Sequence, residues 1–177
     1  MVEQFPEDQG KPGASLFETR IELRAAIEKG KLNSVLDSPE QRLPLEEIWR
    51  LYERYINHRH ADGDMYPANR EQFDSFLVAG RPEARFTEYR LGEQLIAVAV
   101  SDELDDGLSA IYTFFDPDYA DRSLGTYAIL DLLHQTQLKA LSHLYLGYWI
   151  QASDKMRYKA EFLPQERLSQ AGWTLTT

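Results

Sequence analysis

At 177 residues, 43% of them hydrophobic, the chain is sized for one domain with a real core. It has no cysteine, which excludes disulfides, thiol nucleophiles and cysteine-ligated zinc or iron–sulfur sites. A formal net charge of −10 argues against a broad nucleic-acid surface but leaves room for a local basic patch. The acidic, proline-broken start and the lack of any apolar run of about 18 residues point to a soluble, cytoplasmic protein.

Residues 1–14 hold Pro6, Gly10, Pro12 and Gly13 with few apolar residues and read as a disordered or loosely held arm. From Ser15, the S-x-x-E pattern, the spacing of Leu16, Ile21, Leu23, Ala26, Ile27 and Leu32, and a stop at Gly30 predict an amphipathic helix. Residues 15–43 are thus expected to be a helix and a turn-rich connection. After Pro44, Leu45, Ile48, Leu51, Tyr52, Tyr55 and Ile56 recur at helical spacing. This second helix runs into NHRHADGDMYP, where His58, Arg59, His60, Asp62 and Asp64 crowd together. His58 and His60 differ by two positions and would point to different helix faces, so the stretch reads as a helix end and an Asp-capped turn, and no metal is expected.

A turn at Asn69 opens a short helix, REQFDSFLV, with Phe73, Phe76 and Leu77 facing inward and Gly80, Arg81 and Pro82 ending it. Three strands follow, Ala84 to Leu91, Gln94 to Val100 and Leu108 to Phe115, joined by a Gly92-Glu93 hairpin turn and the acidic DELDDG connection. They form an antiparallel meander, and LIAVAV, apolar on both pleat faces, is a central strand covered from both sides. Beyond Asp116-Pro117, Ile129, Leu132, Leu133, Thr136 and Ala140 mark a helix, HLYLGYWI the next strand, DKMRYKAEF a short helix and RLSQAGWTL a closing hairpin around Gly172. A strand, a helix with a Ser/Gly entrance and a roughly parallel strand leave a crevice at the strand ends, where any active site belongs.

The order resembles the acyltransferase fold of the acetyl-CoA-dependent N-acetyltransferases: α+β, a central mixed sheet, an antiparallel meander then β-α-β, helices on both faces. Arg122-Ser123-Leu124-Gly125-Thr126-Tyr127 matches the first half of the phosphate loop of that fold, and Tyr127 departs from it where a small residue is expected. More specific strings are RYINHRHADGDMYP (54–67), LDDGLSAIYTFFDPD (104–118), RSLGTYAIL (122–130) and YLGYWIQASDKMRYKAEFLP (145–164). Together they resemble the C-terminal domain of the aminoacyl-tRNA–protein transferases, the bacterial leucyltransferases acting on N-terminal Asp and Glu and the arginyltransferases. The resemblance covers about residues 44–177. Residues 1–43 do not resemble the Cys-rich N-terminal half of the family, and Ala79 and Ser153 stand where members often carry Cys.

The resemblance implies transfer of Leu or Arg from the 3′ ester of a charged tRNA to the α-amino group of a peptide or protein, acidic acceptors included. The tRNA is a co-substrate, and no cofactor is expected. An ester is already activated, so positioning, amine deprotonation and oxyanion stabilisation suffice without a covalent nucleophile. Candidates for proton removal are Asp116, Tyr112 and His60, of which histidine alone titrates near neutrality when unperturbed. The backbone N–H groups around Ser123, Gly125 and Thr126 are candidates for the oxyanion and terminal adenosine, with Arg122 near phosphate; a plain helix start is the alternative.

In DKMRYK, Lys155, Met156, Arg157, Tyr158 and Lys159 alternate cations with an aromatic, which suits phosphate contact plus stacking, or else a solvated helix face. Arg59 and His60 could meet an acidic side chain of the acceptor, oriented by Asp62 or Asp64, or form a helix-end ion pair. Tyr145, Tyr148 and Trp149 could line an amino-acid pocket or belong to the core, and Asp105-Asp106 could simply form a turn. Two other functions compete: an acyl-CoA-dependent N-acyltransferase, and a non-catalytic or engineered tRNA- or peptide-binding domain.

Overall fold

The computed structural model describes residues 16–22, 45–61, 63, 65–79 and 84–177. Its first element corrects the expected helix: Leu16–Glu22 is a strand, β1. Its backbone pairs antiparallel with a strand on each side, so this segment supplies ladder partners to two neighbours that would otherwise both be edges. Such long-range pairing overrides the local helix signal. The rest of the expected helix, residues 23–32, and the connection to residue 44 lie outside the described residues, as does the arm.

Helix α1, Leu45–Arg59, carries Glu46 and Glu47 in its first turn and His58 and Arg59 in its last, matching the helix dipole at both ends. Its Ile48, Leu51, Tyr52, Tyr55 and Ile56 are buried. Helix α2, Arg70–Phe73, begins where the Asn69 side chain accepts from the Gln72 N–H, then widens into a π turn over Asp74–Val78. The wider turn rotates less per residue, which keeps Leu77 over the core with Phe73 but carries Phe76 off that line. Phe76, expected inside, is 44% exposed. Gly80 to Pro82, the expected stop, lies outside the described residues.

Strands β2 (Ala84–Leu91), β3 (Gln94–Glu103) and β4 (Gly107–Phe115) form the meander, with Gly92 at φ +62° in the first turn. A 3₁₀ turn over Pro117–Arg122 leads to helix α3, Leu124–Leu138, and then to β5, His143–Ile150. Ala140, counted above on the helix stripe, falls beyond the helix end, exposed and at φ +55°. A second 3₁₀ turn, Arg157–Glu161, replaces the expected longer DKMRYKAEF helix and precedes the closing hairpin of β6 (Gln165–Ser169) and β7 (Gly172–Thr176).

The fold is α+β, with one mixed sheet ordered β2-β3-β4-β5-β1-β6-β7, in which β4 and β5 are the parallel pair. Helices α1 and α2 bury Val98, Val100 and Phe114 on one face. On the other face α3 packs Ala128, Ile129, Leu132 and Leu133 onto Ala99, Leu108, Leu144 and Leu146. The central strand β3 is therefore covered from both sides, as its unbroken apolar run requires. Asp131, 5% exposed on α3, accepts from the Tyr89 hydroxyl at 2.9 Å and from Gln135 Nε2 at 2.8 Å, which ties α3 to β2.

Candidate active site

β4 and β5 pair only from Gly107 opposite His143 to Ser109 opposite Tyr145. Gly107 permits that approach, because a Cβ there would collide with the His143 carbonyl oxygen. Immediately beyond, both strands are bulged. The β4 register steps past Ile111 between its Ala110 and Tyr112 partners, and the β5 register steps past Leu146 between Tyr145 and Gly147. Bulges add twist and end pairing, so two parallel strands part with four or more residues still to run in each. The crevice expected at the strand ends is this parting.

On one side of it stands the end of α1. The Arg59 guanidinium lies 5.8 Å from the centre of the Phe115 ring, and Tyr55, one turn earlier, packs edge-on against Phe115 at 5.0 Å. Tyr55 also meets His60 at 5.5 Å and Tyr112 at 6.4 Å between ring centres. Burial raises the phenol pKa values of Tyr55, Tyr112 and Tyr158, and the Arg59 charge draws all three back towards ionisation. Arg59 and Tyr112, chosen from separate stretches, meet through Tyr55, which stands one turn before Arg59 on α1 and packs against the Tyr112 ring. Tyr112 is a poor base there: its hydroxyl donates to Met65 Sδ at 3.6 Å, and its phenol is held well above its ordinary range. Asp62 and Asp64 lie outside the described residues.

Asp116 ends β4 and is 3% exposed. Its Oδ1 accepts from the Asp118 N–H at 3.0 Å, capping the 3₁₀ turn, and its Oδ2 accepts from Arg54 Nη1 at 3.0 Å. Arg54 reaches Asp118 with its other nitrogen at 2.6 Å. Both carboxylate oxygens are committed to holding α1 against the loop that delivers α3.

That loop turns through Ser123 at φ 52°, and the Ser123 side chain does not cap α3. No acidic residue occupies the first turn either, so the N–H groups of the entrance have no side-chain anion of their own helix. The entrance adjoins the α1 cluster through Phe115, which lies 3.9 Å from where a Cβ on Gly125 would sit. Arg122 stacks over Tyr119 at 5.5 Å, and Thr126 is exposed. Tyr127, 41% exposed, rests its ring against Tyr89 on β2 at 5.5 Å.

The basic turn divides by function. Lys159 Nζ donates to the carbonyls of Leu146 at 2.7 Å and Tyr148 at 2.8 Å, and burial lowers its pKa. Its ammonium holds the bulged part of β5. Fully buried Gln165 donates to the carbonyls of Lys159 and Phe162, fastening the same turn from the β6 side. Arg157 pairs with Asp154 at 3.0 Å, Met156 precedes the turn half-buried, and Lys155 is exposed. Tyr145 is taken away from the crevice by its hydrogen bond to the Asp106 carboxylate at 2.9 Å, while the Asp106 backbone carbonyl accepts from the Ser142 and His143 N–H groups. Buried Trp149 lies under Arg167 at 4.2 Å.

Tyr55, Phe115 and Arg54 were not singled out as site residues. Tyr55 reads as core because it belongs to the buried stripe of α1. The available signal is its i, i+4 relation to Arg59, which places both on one helix face.

Residues 47–169 match the family model described as arginine-tRNA-protein transferase, C terminus. The chain is 54% identical over 128 residues to the aspartate/glutamate leucyltransferase of Stutzerimonas stutzeri, covering 72% of this chain and 54% of that protein. It is 50% identical over 145 residues to the aspartate/glutamate leucyltransferase of Teredinibacter turnerae, covering 81% of this chain and 60% of that protein. The chain therefore spans little more than half the length of these relatives. The matched residues run from α1 through β6 and include both walls of the crevice and the α3 entrance, so the chain belongs to the arginine-tRNA-protein transferase C-terminal family.

Proposed function

We propose that the chain transfers an aminoacyl group, leucine or arginine, from charged tRNA to the α-amino group of a peptide or protein, in the cytoplasm where charged tRNA is present. The observation that carries this reading is the crevice between β4 and β5, flanked by an uncapped helix entrance and by Arg59, in a chain half-identical to leucyltransferases. In this reading the sheet, meander and crossover are those of an N-acetyltransferase-like acyltransferase.

The chemistry asks little of the protein beyond placement. The acceptor nitrogen attacks the ester carbonyl carbon, an amide C–N bond forms, the ester C–O bond breaks, and the amine proton ends on the departing 3′ oxygen. The N–H groups at Ser123, Gly125 and Thr126 face the oxyanion and the terminal adenosine, with Arg122 on phosphate. His60 relays the proton, and Arg59 meets the acceptor. Lys155, Met156 and Tyr158 border the acceptor stem, whereas Asp116, Tyr112 and Lys159 act as positioning residues because their polar atoms are already engaged.

The test is incubation of the protein with radiolabelled leucyl-tRNA or arginyl-tRNA and peptides beginning with Asp or Glu, with acetyl-CoA as a parallel donor. Label appearing at the peptide α-amine from one tRNA supports the reading. Acetylated peptide moves the assignment to the acyl-CoA class, and binding of tRNA or peptide without transfer moves it to a binding domain.

A further inference from the structure

The ammonium of Lys139 pairs with Glu103, an anion that keeps it charged. That of Lys159 meets only main-chain carbonyls, those of Leu146 and Tyr148, with no carboxylate in ion-pair reach among the described residues. Of the ionisable groups on its turn and on β5, Arg157 is paired with Asp154, and His143 and Tyr145 turn to Asp106. Tyr158 and exposed Glu161 complete those of the turn, and Tyr148 those of β5. Strand carbonyls point along the sheet towards the neighbouring strands. β1 lines one side of β5 from His143 to Ile150, whereas β4 pairs only as far as Tyr145. The ammonium therefore stands on the side that β4 has left, in the wall of the crevice. Gly147, between its two acceptors, is at φ +69°, and a Cβ there would meet nothing within 4 Å, so the wall is open beside the ammonium.

We propose that the third N–H of Lys159, the one not spent on β5, protonates the departing 3′ oxygen of the charged tRNA, so that Lys159 is the general acid of the transfer. This rests on the reading given under Proposed function and adds a catalytic step to the positioning role stated there. An ammonium has three donors, and with two fixed to β5 its tetrahedral geometry directs the remaining one off the strand, across the gap that β4 leaves. Loss of that proton leaves an NH₂ group with two hydrogens for two carbonyls and a lone pair in the third position. Neither carbonyl is stranded in either state, so the proton can leave and return without rearranging the wall. Burial disfavours the charged form, which eases the release. As the ester C–O bond breaks, its electron pair goes to the 3′ oxygen, which takes the proton and becomes a hydroxyl. The N–H electron pair stays on Nζ, and the proton shed by the attacking amine, relayed by His60, restores the ammonium. An alkoxide is a poor leaving group, so this is the step at which an acid helps most.

The experiment follows single-turnover transfer from leucyl-tRNA to a peptide beginning with Asp, from neutral to alkaline pH, with wild type, Lys159→Arg and Lys159→Cys. The chain has no cysteine, so the new thiol is unique, and bromoethylamine rebuilds on it a lysine with sulfur in its stem and a more acidic ammonium. Thermal melts and a binding titration of leucyl-tRNA accompany each protein. Wild-type transfer is expected to fall as pH rises through the lowered pKa of Lys159. Both substitutions are expected to slow transfer by about 100-fold or more while leaving tRNA affinity within about threefold of wild type. Arginine keeps the charge but does not release its proton, so it does not replace the acid. Aminoethylation of the Lys159→Cys protein restores transfer, with the fall displaced to lower pH. Wild-type rates in Lys159→Arg overturn the proposal, and so does a loss of transfer matched by a loss of tRNA binding, or an aminoethylated protein whose pH profile has not moved. A wild type that transfers nothing overturns the transferase reading instead. An NMR titration on isotope-labelled lysine then decides the placement of Lys159, using an adenosine that carries leucine through a stable amide at its 3′ position. A Lys159 signal, assigned by its absence in Lys159→Arg, that moves on binding supports that placement, and one that stays still overturns it.

Discussion

Lys159 shows how a cation in a basic run can be claimed by the fold. Its ammonium sits between two carbonyls of β5, one of them on Leu146, which is 2% exposed. Lys159→Met strands both acceptors, so a loss of about 1–3 kcal/mol is expected in a denaturant melt. The pH dependence has a definite sign. With the folded pKa below the ordinary lysine value, the unfolded chain binds more protons between the two, so this residue makes stability rise with pH across that window. Lys159→Met should abolish that rise, and an unchanged pH slope would show that the ammonium is not desolvated. Asp116 permits a similar separation of roles. Asp116→Asn keeps an oxygen for the Asp118 N–H but loses the charge facing half-exposed Arg54, so about 1 kcal/mol or less should be lost. Transfer at a temperature where the variant is folded should fall less than about tenfold. A loss of three or more orders of magnitude in kcat at unchanged KM would make Asp116 a reacting base, since general base catalysis contributes about 10²–10⁴-fold.

At the scale of elements, what periodicity could reveal was local. Helix α1, the meander and α3 each carry a pattern completed within one segment, and their buried residues fall where the repeats place them. The register of β4 against β5 is not local: Gly107 and His143 meet across the whole of α3, and the two bulges that open the crevice leave no mark in composition. Strand β1 was missed for the same reason. LFETRIE suits a helix as a string, and its partners lie more than a hundred residues away. Arg59 was legible as a cation at a helix end, whereas its meeting with Tyr55 at the Phe115 ring depends on the packing of α1 against β4. The position of β1 makes a sharp prediction. Thr19 pairs with Gly147 on one side and Arg167 on the other, so Thr19→Pro removes an N–H from a doubly paired strand. The expected cost is about 3 kcal/mol or more in a chemical melt. A variant with wild-type stability would mean that β1 is dispensable to the sheet.

At the scale of the chain, the charge balance constrains how tRNA could be held if it is bound as proposed. A net charge of −10 repels a polyanion at long range, so binding must rest on few local contacts and fade quickly with salt. Arg122 is suited to be one of them: exposed, at the α3 entrance, stacked on Tyr119 and with no carboxylate partner among the described residues. Arg122 and Arg59 should then separate in a single measurement. In titrations of leucyl-tRNA across increasing salt, Arg122→Ala should reduce the slope of log K against log salt by about 0.7–0.9, the loss of one phosphate contact. Arg59→Gln should leave that slope unchanged if, as proposed, Arg59 meets the acceptor and not the tRNA. Melting curves for the two variants should match wild type, since neither guanidinium completes an ion pair within the described residues. If Arg122→Ala leaves the slope intact, phosphate is not held at the helix entrance, and the tRNA path must run along the turn bearing Lys155. A Lys155→Ala titration would then show the missing increment of slope.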